Sequence, residues 1–154
     1  YATQLNGEFL LPKQKLIGKE SNIVMIAGGI GITPFISQIR DLLNRKEKRS
    51  IVLFYGVKFP KDAVYMDVLK RAITELGAKV VCVISEKVEL PQSENNLFYE
   101  SGFVTKEIIQ KYTQNLHNQY FISGPNIMVD LMKNNLHSLK VPNKDVHTDY
   151  FPGY

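Results

Sequence analysis

The stretch Ile23-Val24-Met25-Ile26-Ala27, followed at once by Gly28-Gly29-Ile30-Gly31-Ile32-Thr33-Pro34, decides the fold of this chain. A short, continuous apolar run is typical of a strand that is buried on both faces of a sheet. The glycines favour a tight turn, because they accept positive φ and let the backbone approach a ligand closely. Pro34 suits the first position of a helix, and apolar residues at helical spacing follow it. The stretch therefore predicts a strand, a glycine turn and a helix.

The same alternation continues along the chain. Further apolar runs predict strands at 51–55, 79–84 and 120–122, and residues 145–150 are predicted to be a short fifth strand. Amphipathic segments predict helices at 34–44, 63–76, 105–112 and 125–136. Asp62 and Thr105 are candidate N-caps, Gly77 is a candidate helix stop, and the polar segment 86–102 is predicted to be a loop.

Alternating strands and helices predict an α/β fold. We expect a doubly wound, five-stranded parallel sheet in the order 3-2-1-4-5, with helices on both faces. Such sheets bind ligands beyond the carboxyl ends of their strands, where the strand order reverses. The crevice is therefore expected between the first and fourth strands.

Composition excludes several classes of protein. The 154 residues suffice for one domain, 44% of them are apolar, and the net charge is +4. The only cysteine, Cys82, lies in an apolar run and is expected to be a buried, inert thiol. No apolar run is long enough to cross a membrane, and the three histidines lack the spacing of metal ligands. The basic cluster 45–49 has no interleaved aromatic residues, so we expect no nucleic-acid partner. A cytoplasmic location, or the cytoplasmic face of a membrane, is expected.

The chain does not start with methionine, so it is expected to come from a longer protein. Residues 1–20 fit no strand–helix unit and are predicted to be the tail of a preceding domain and a linker. Residues 21–154 are predicted to form the binding domain.

The glycine turn on its own supports two interpretations. It can bind a phosphate at the start of the helix, or it can be a purely structural turn. The usual dinucleotide fingerprint begins at Gly29-x-Gly31, but Pro34 stands where the third glycine belongs. No acidic residue closes the second strand, and no Gly-Lys-Ser/Thr follows the turn.

The whole string Ala27 to Pro34 nevertheless resembles the signature of the ferredoxin-reductase-type family of FAD/NAD(P)-binding oxidoreductases. Other stretches resemble further elements of that family, in the same order along the chain. They are Gly7-Glu8-Phe9-x-Leu11 (last strand of the flavin-binding barrel), Phe54-Tyr55-Gly56-Val57-Lys58 with Asp62, Gly102-Phe103-Val104-Thr105 (a short strand before a helix), Ser123-Gly124-Pro125 with Met128, and His147-Thr148-Asp149-Tyr150-Phe151.

The resemblance implies an NAD(P)H-binding domain of a flavin-dependent oxidoreductase. It would place nicotinamide for hydride transfer to FAD (or FMN) on a separate barrel domain of the same parent protein. The family's Arg-x-Tyr-Ser/Thr flavin motif is absent, so this chain is not expected to hold flavin tightly or to be active alone. An alternative is a nucleotide-sensing or assembly module without electron transfer. A flavodoxin-like FMN domain is disfavoured, because its phosphate loop is usually rich in Ser and Thr.

The resemblance also implies the site residues. Ser123 and Phe151 would act at the reacting nicotinamide. The cofactor-binding set would be Gly28, Gly29, Ile30, Gly31, Ile32, Thr33, Tyr55, Gly56, Lys58, Ser85, Glu86, Ser123, Gly124, Pro125, Asn126, Phe151 and Tyr154.

Some of these positions, and Met128 near them, carry particular interpretations. Ser123 replaces the family's common cysteine, and it could instead simply cap the next helix. Phe151, or alternatively Tyr154, matches the terminal aromatic that stacks on the flavin, unless these rings pack on the domain's own surface. Glu86 stands where NADPH-using relatives often carry arginine. Its carboxylate favours NADH over NADPH, although Lys58 and Lys87 are nearby cations. Met128 lies at helical spacing with other apolar residues and is predicted to belong to the core.

Overall fold

The computed structural model describes residues 11, 22–113 and 117–151, which contain six strands and four α-helices. The strands are β1 (Ile23–Gly28), β2 (Ile51–Val57), β3 (Lys79–Ile84), β4 (Leu97–Ser101), β5 (Gln119–Pro125) and β6 (Val146–Phe151). The helices are α1 (Thr33–Arg45), α2 (Met66–Arg71), α3 (Lys106–Tyr112) and α4 (Asn126–Ser138). The π-helical turn Ala72–Leu76 extends α2, and 3-10 turns cover Gly29–Ile32, Pro60–Asp62 and Asn143–Asp145.

The strands form one parallel sheet in the order β4-β3-β2-β1-β5-β6. The five predicted strands keep their predicted order, but the prediction of five strands is wrong. A sixth, β4, pairs with β3 inside the segment predicted to be a loop. The pattern hid this strand because it lies at the sheet edge. Only Leu97 of its five residues is buried, so no continuous apolar run marks it.

Helices cover both faces of the sheet, as predicted. On one face, α1 and α2 pack on alternate residues of the central strands, such as Met25, Leu53 and Cys82. On the other face, α3 and α4 pack on the intervening residues, such as Ile26 and Phe54. Burying one such large apolar side chain contributes about 1.5–3 kcal/mol. The sheet is thus the shared wall between two apolar clusters, and β1 is its most deeply buried strand.

Two helix signals in the sequence are confirmed, and one is wrong. The Thr105 hydroxyl caps α3 by accepting a bond from the Ile108 N–H at 3.2 Å. Gly77, at φ +74°, ends the segment that α2 begins. Asp62 does not cap that helix, which starts only at Met66. Its carboxylate instead accepts from the Phe59 N–H at 3.1 Å, across a separate 3-10 turn.

The sequence also predicts a buried, inert thiol at Cys82 and a tail of a preceding domain with a linker at residues 1–20. Cys82 is fully buried in β3, and burial raises its pKa to about 12, so the thiol is inert at neutral pH. Leu11 packs against the cluster beneath α1 and α2. The rest of the predicted tail, residues 1–20, lies outside the described residues. No helix within 22–113 or 117–151 is long and apolar enough to cross a membrane.

Candidate nucleotide site

The carboxyl ends of β1 and β5 lie side by side at the centre of the sheet. The chain leaving β1 enters α1 on one face, whereas the chain leaving β5 enters α4 on the opposite face. Because the two connections diverge, the strand ends leave a crevice between them. This is the position predicted for the ligand.

The first wall of this crevice is the 3-10 turn Gly29–Ile32. Gly29 has φ +54° and is exposed, so its backbone borders open space. Ile32, the N-cap of α1, has no polar side chain, so the helix start has no side-chain cap. Thr33 is the first residue of α1 and is not its cap. The 3-10 turn and the thirteen-residue helix that follows it begin at the carboxyl end of β1, and the positive dipole end of a helix favours an anion.

The second wall is the end of β5. A Cβ added to Gly31 would lie 2.1 Å from the Ser123 carbonyl oxygen, so the two walls touch at this point. The Ser123 side chain is fully buried, and its hydroxyl has no hydrogen-bond partner among the described residues. It does not cap α4, whose N-cap is Pro125. A buried hydroxyl without a partner is costly, so this Ser123 hydroxyl is an unsatisfied polar group in the wall at the end of β5.

The last strand adds two side chains to the same region. In the β5–β6 register, Asp149 lies opposite Ser123 and Phe151 lies opposite Pro125. Both are half-buried, and burial raises the pKa of the Asp149 carboxyl. Tyr150 is 43% exposed, and its hydroxyl donates to Asp130 on α4 at 3.2 Å. Tyr154 lies outside the described residues.

A third group of predicted site residues meets at the ends of β2 and β3. The Ser85 N–H donates to the Val57 carbonyl, and the Glu86 N–H donates to the Lys58 carbonyl, each at 3.0 Å. These two bonds bring Lys58, Ser85 and Glu86 together, and the side chains of Lys58 and Glu86 are exposed. The structure therefore joins residues that lie far apart in sequence into one loop pair.

The side chain of one predicted contact lies in the core. Tyr55 is 1% exposed, and its hydroxyl accepts a hydrogen bond from the Val64 N–H at 3.2 Å. Burial also raises its pKa. Its side chain therefore supports the loop after β2 from within the core and does not reach the open edge, in contrast to neighbouring Gly56, which is half-buried at the strand end.

Sequence reasoning missed Phe103 as a candidate contact. Residues 102–105 resemble a short strand in sequence, but they form none in the structure. Gly102, at φ +102°, donates its N–H to the Ile84 carbonyl at 2.8 Å, which sets Phe103 beside the end of β3. There the Phe103 side chain is 73% exposed. The only sequence signal for this exposed ring was its position directly after a glycine.

The predicted site residues lie in two places along the carboxyl edge of the sheet. Near the centre are the glycine turn and the end of β5, with Gly124, Pro125 and exposed Asn126 leading into α4. Toward one edge are the loops after β2, β3 and β4. No group of three or more His, Cys, Asp or Glu side chains that could hold a metal ion occurs within the described part of the chain.

Comparison with known proteins agrees with this geometry. The chain is 26% identical over 157 residues to human oxidoreductase NAD-binding domain-containing protein 1, covering 94% of this chain and 50% of that protein. It is 28% identical over 134 residues to the reductase component of propane 2-monooxygenase of Mycolicibacterium smegmatis, covering 84% of this chain and 37% of that protein. The chain thus spans half or less of the length of these relatives.

The fold also occurs in solved structures. The Amycolatopsis cytochrome P450 reductase GcoB superposes with a TM-score of 0.77 at 21% identity, over 96% of this chain and 42% of that one. A family model described as oxidoreductase NAD-binding domain matches residues 25–134, from β1 into α4. The match includes the glycine turn, the loops after β2 to β4 and the end of β5. The chain belongs to the oxidoreductase NAD-binding domain family.

Proposed function

We propose that this domain binds NAD(P)H and presents the nicotinamide for hydride transfer to FAD or FMN, held by a separate barrel domain of the parent protein. The observation that carries the proposal is the buried hydroxyl of Ser123, which has no partner among the described residues and lies where the glycine turn touches the end of β5. A dinucleotide that crosses this point meets a helix start suited to its pyrophosphate and a polar group suited to its carboxamide.

The binding roles follow from position. Gly28, Gly29, Ile30, Gly31, Ile32 and Thr33 would hold the pyrophosphate and the nearby ribose, using backbone N–H groups of the turn that leads into α1. Ser123, Gly124, Pro125 and Asn126 would border the nicotinamide, and Phe151 would lie on its flavin side. Gly56, Lys58, Ser85 and Glu86 would border the adenosine half.

The chemistry would come from the two cofactors, because bound NAD(P)H supplies the hydride and flavin accepts it. The chain's own contribution is orientation. The Ser123 hydroxyl would fix the rotation of the nicotinamide, and the rigid end of β5 would fix its distance. Asp149, whose pKa is raised by burial, lies beside Ser123 on the neighbouring strand.

We infer a preference for NADH over NADPH. Glu86 is exposed and tethered through its backbone to Lys58, so its carboxylate can accept from ribose hydroxyls but repels a 2′-phosphate. A relative in Psychrobacter arcticus, 28% identical over 155 residues, is itself named as part of a Na(+)-translocating NADH-quinone reductase.

Binding can be tested by thermal unfolding of the purified chain. NADH at about 100 times its Kd is expected to stabilise the fold by about 2.7 kcal/mol. ADP-ribose, which lacks the nicotinamide ring, should stabilise it less, and FAD should add little. The preparation should be colourless. Co-purification of stoichiometric FAD, or no response to any pyridine nucleotide, would contradict the proposal.

Phe103 provides a second test, at the adenine end. Its exposed ring beside the end of β3 is suited to stack on the adenine, so Phe103→Ala should weaken NADH binding by about 1–2 kcal/mol. AMP binding should weaken by a similar factor. The matched control is Leu131→Ala, because Leu131 is also exposed (54%) but lies on α4. Calorimetric titration that finds equal affinities for both variants and the parent would exclude the stacking role.

A further inference from the structure

The side chain of Met128 lies against both glycine walls of the crevice at once. A Cβ added to Gly28 would lie 2.3 Å from the Met128 sulfur, and a Cβ added to Gly124 would lie 2.5 Å from the same atom. These two glycines do not need positive φ, since Gly28 has φ −112° and neither is among the positive-φ residues. At both positions the thioether fills the space where a Cβ would stand.

The glycine turn after β1 is therefore contacted from two sides. On the α1 face, Gly31 meets the Ser123 carbonyl, so closely that a Cβ there would lie 2.1 Å from the oxygen. On the α4 face, the Met128 sulfur packs against the ends of β1 and β5, which are directly paired strands, and Met128 also packs on the apolar cluster beneath α4. An unbranched, polarisable thioether is suited to lie against such bare backbone.

We propose that Met128 is a positioning residue, whose thioether packs across the ends of β1 and β5 and keeps in place the two turns that would hold the nucleotide. The inference deepens the proposed function and rests on it. The contact with Gly28 fixes the strand end that leads into the pyrophosphate turn, and the contact with Gly124 fixes the turn that borders the nicotinamide. A small change in their separation misplaces one half of the ligand relative to the other.

The test compares two methionines of the same helix. Met132, which is 2% exposed, belongs only to the core, whereas Met128 is half-buried and contacts the turns. We expect Met128→Ala to raise the Kd for NADH about tenfold, the scale typical of contacting residues. Met128→Leu keeps a carbon where the sulfur lies, and it should restore the Kd to within about threefold of the parent. Met132→Ala should lower the melting temperature more than Met128→Ala does, yet leave the Kd of the folded protein unchanged.

A second readout needs no nucleotide. Amide hydrogen exchange across Gly29–Ile32 should quicken in Met128→Ala and stay at the parent rate in Met132→Ala. Gly124→Ala should also weaken NADH binding, and the double variant Gly124→Ala/Met128→Ala should lose less affinity than the two single losses combined, because the clash is then removed.

The outcomes separate the two ideas. If the parent chain does not bind NADH, the proposed function fails, and exchange in the free protein still decides whether Met128 holds the turn. If the parent binds NADH and Met128→Ala matches it in Kd and in turn exchange, the positioning role is wrong while the function stands.

Discussion

Gly31→Ala is expected to lower the free energy of unfolding by about 3 kcal/mol and to remove most NADH binding, because overpacking against backbone is costly. The new Cβ would lie 2.1 Å from the Ser123 carbonyl oxygen and 2.6 Å from its carbonyl carbon. Neither atom can move without shifting β5, the neighbour of the central strand. Urea unfolding measures the loss of stability, and titration of the folded variant with NADH measures the loss of binding.

Gly29→Ala is the matched control, two residues away in the same turn. Gly29 has φ +54°, but a Cβ there meets no atom within 4 Å. An alanine in this conformation costs about 1–2 kcal/mol of backbone strain and nothing from packing. If Gly31→Ala proves as stable as Gly29→Ala, the close approach of the two walls is not a property of the folded protein.

Glu86→Lys is expected to shift the ratio of NADPH to NADH affinity by about 30-fold toward NADPH, or about 2 kcal/mol. The reason is the reversal of one charge close to the 2′-phosphate, reduced by solvent and salt at an exposed position. NADH binding itself should change by only a few-fold. The shift should shrink as ionic strength rises, which titrations at two salt concentrations can measure.

Glu89→Lys controls for net charge, because Glu89 is an exposed carboxylate of the same connection but lies three residues further along. It should move the ratio by less than about threefold, the remainder of a screened charge at longer range. An equal response of the two variants would mean that Glu86 does not lie at the ribose. A parent chain that already binds NADPH more tightly than NADH would contradict the inferred preference for NADH.

The central part of the fold was predictable because its residues are buried on both faces. In β1 every residue from Ile23 to Ala27 is buried, so the pattern is a continuous apolar run that nothing else imitates. The glycine turn and Pro34 then give the change from strand to helix. The same logic located β2, β3 and β5, and the alternation of strands and helices with right-handed crossovers predicted the order of the five strands.

Strand β4, at one edge of the sheet, was not predictable for the converse reason, although the other edge strand, β6, was predicted and is also mostly half-buried. Strand β4 is mostly half-buried, and Glu100 contacts Lys111 and Tyr112 of α3, with the Lys111 amino group at 2.7 Å. A mixed polar strand of this kind looks like a loop in a single sequence.

Some residues of the candidate site were likewise predictable from the sequence, and others were not. Its glycines and Ser123 were identifiable because the motifs mark backbone turns, which local sequence controls. Tyr55 was expected at the open edge but lies in the core, and Phe103 was missed although it is exposed. Whether an aromatic side chain points inward depends on neighbours distant in sequence, here Val64 and Ile84. Likewise, the role of Met128 depends on two glycines from different strands.

The hydrogen bonds from Ser85 to Val57 and from Glu86 to Lys58 continue the β2–β3 ladder past the point where both strands end. Glu86, which we propose discriminates between NADH and NADPH, thus lies on backbone that hydrogen bonds hold in place. Its side chain belongs to neither apolar cluster. Natural selection, or an engineer, can exchange that side chain without disturbing the scaffold beneath it. Cofactor choice in this domain should therefore evolve faster than the fold that carries it.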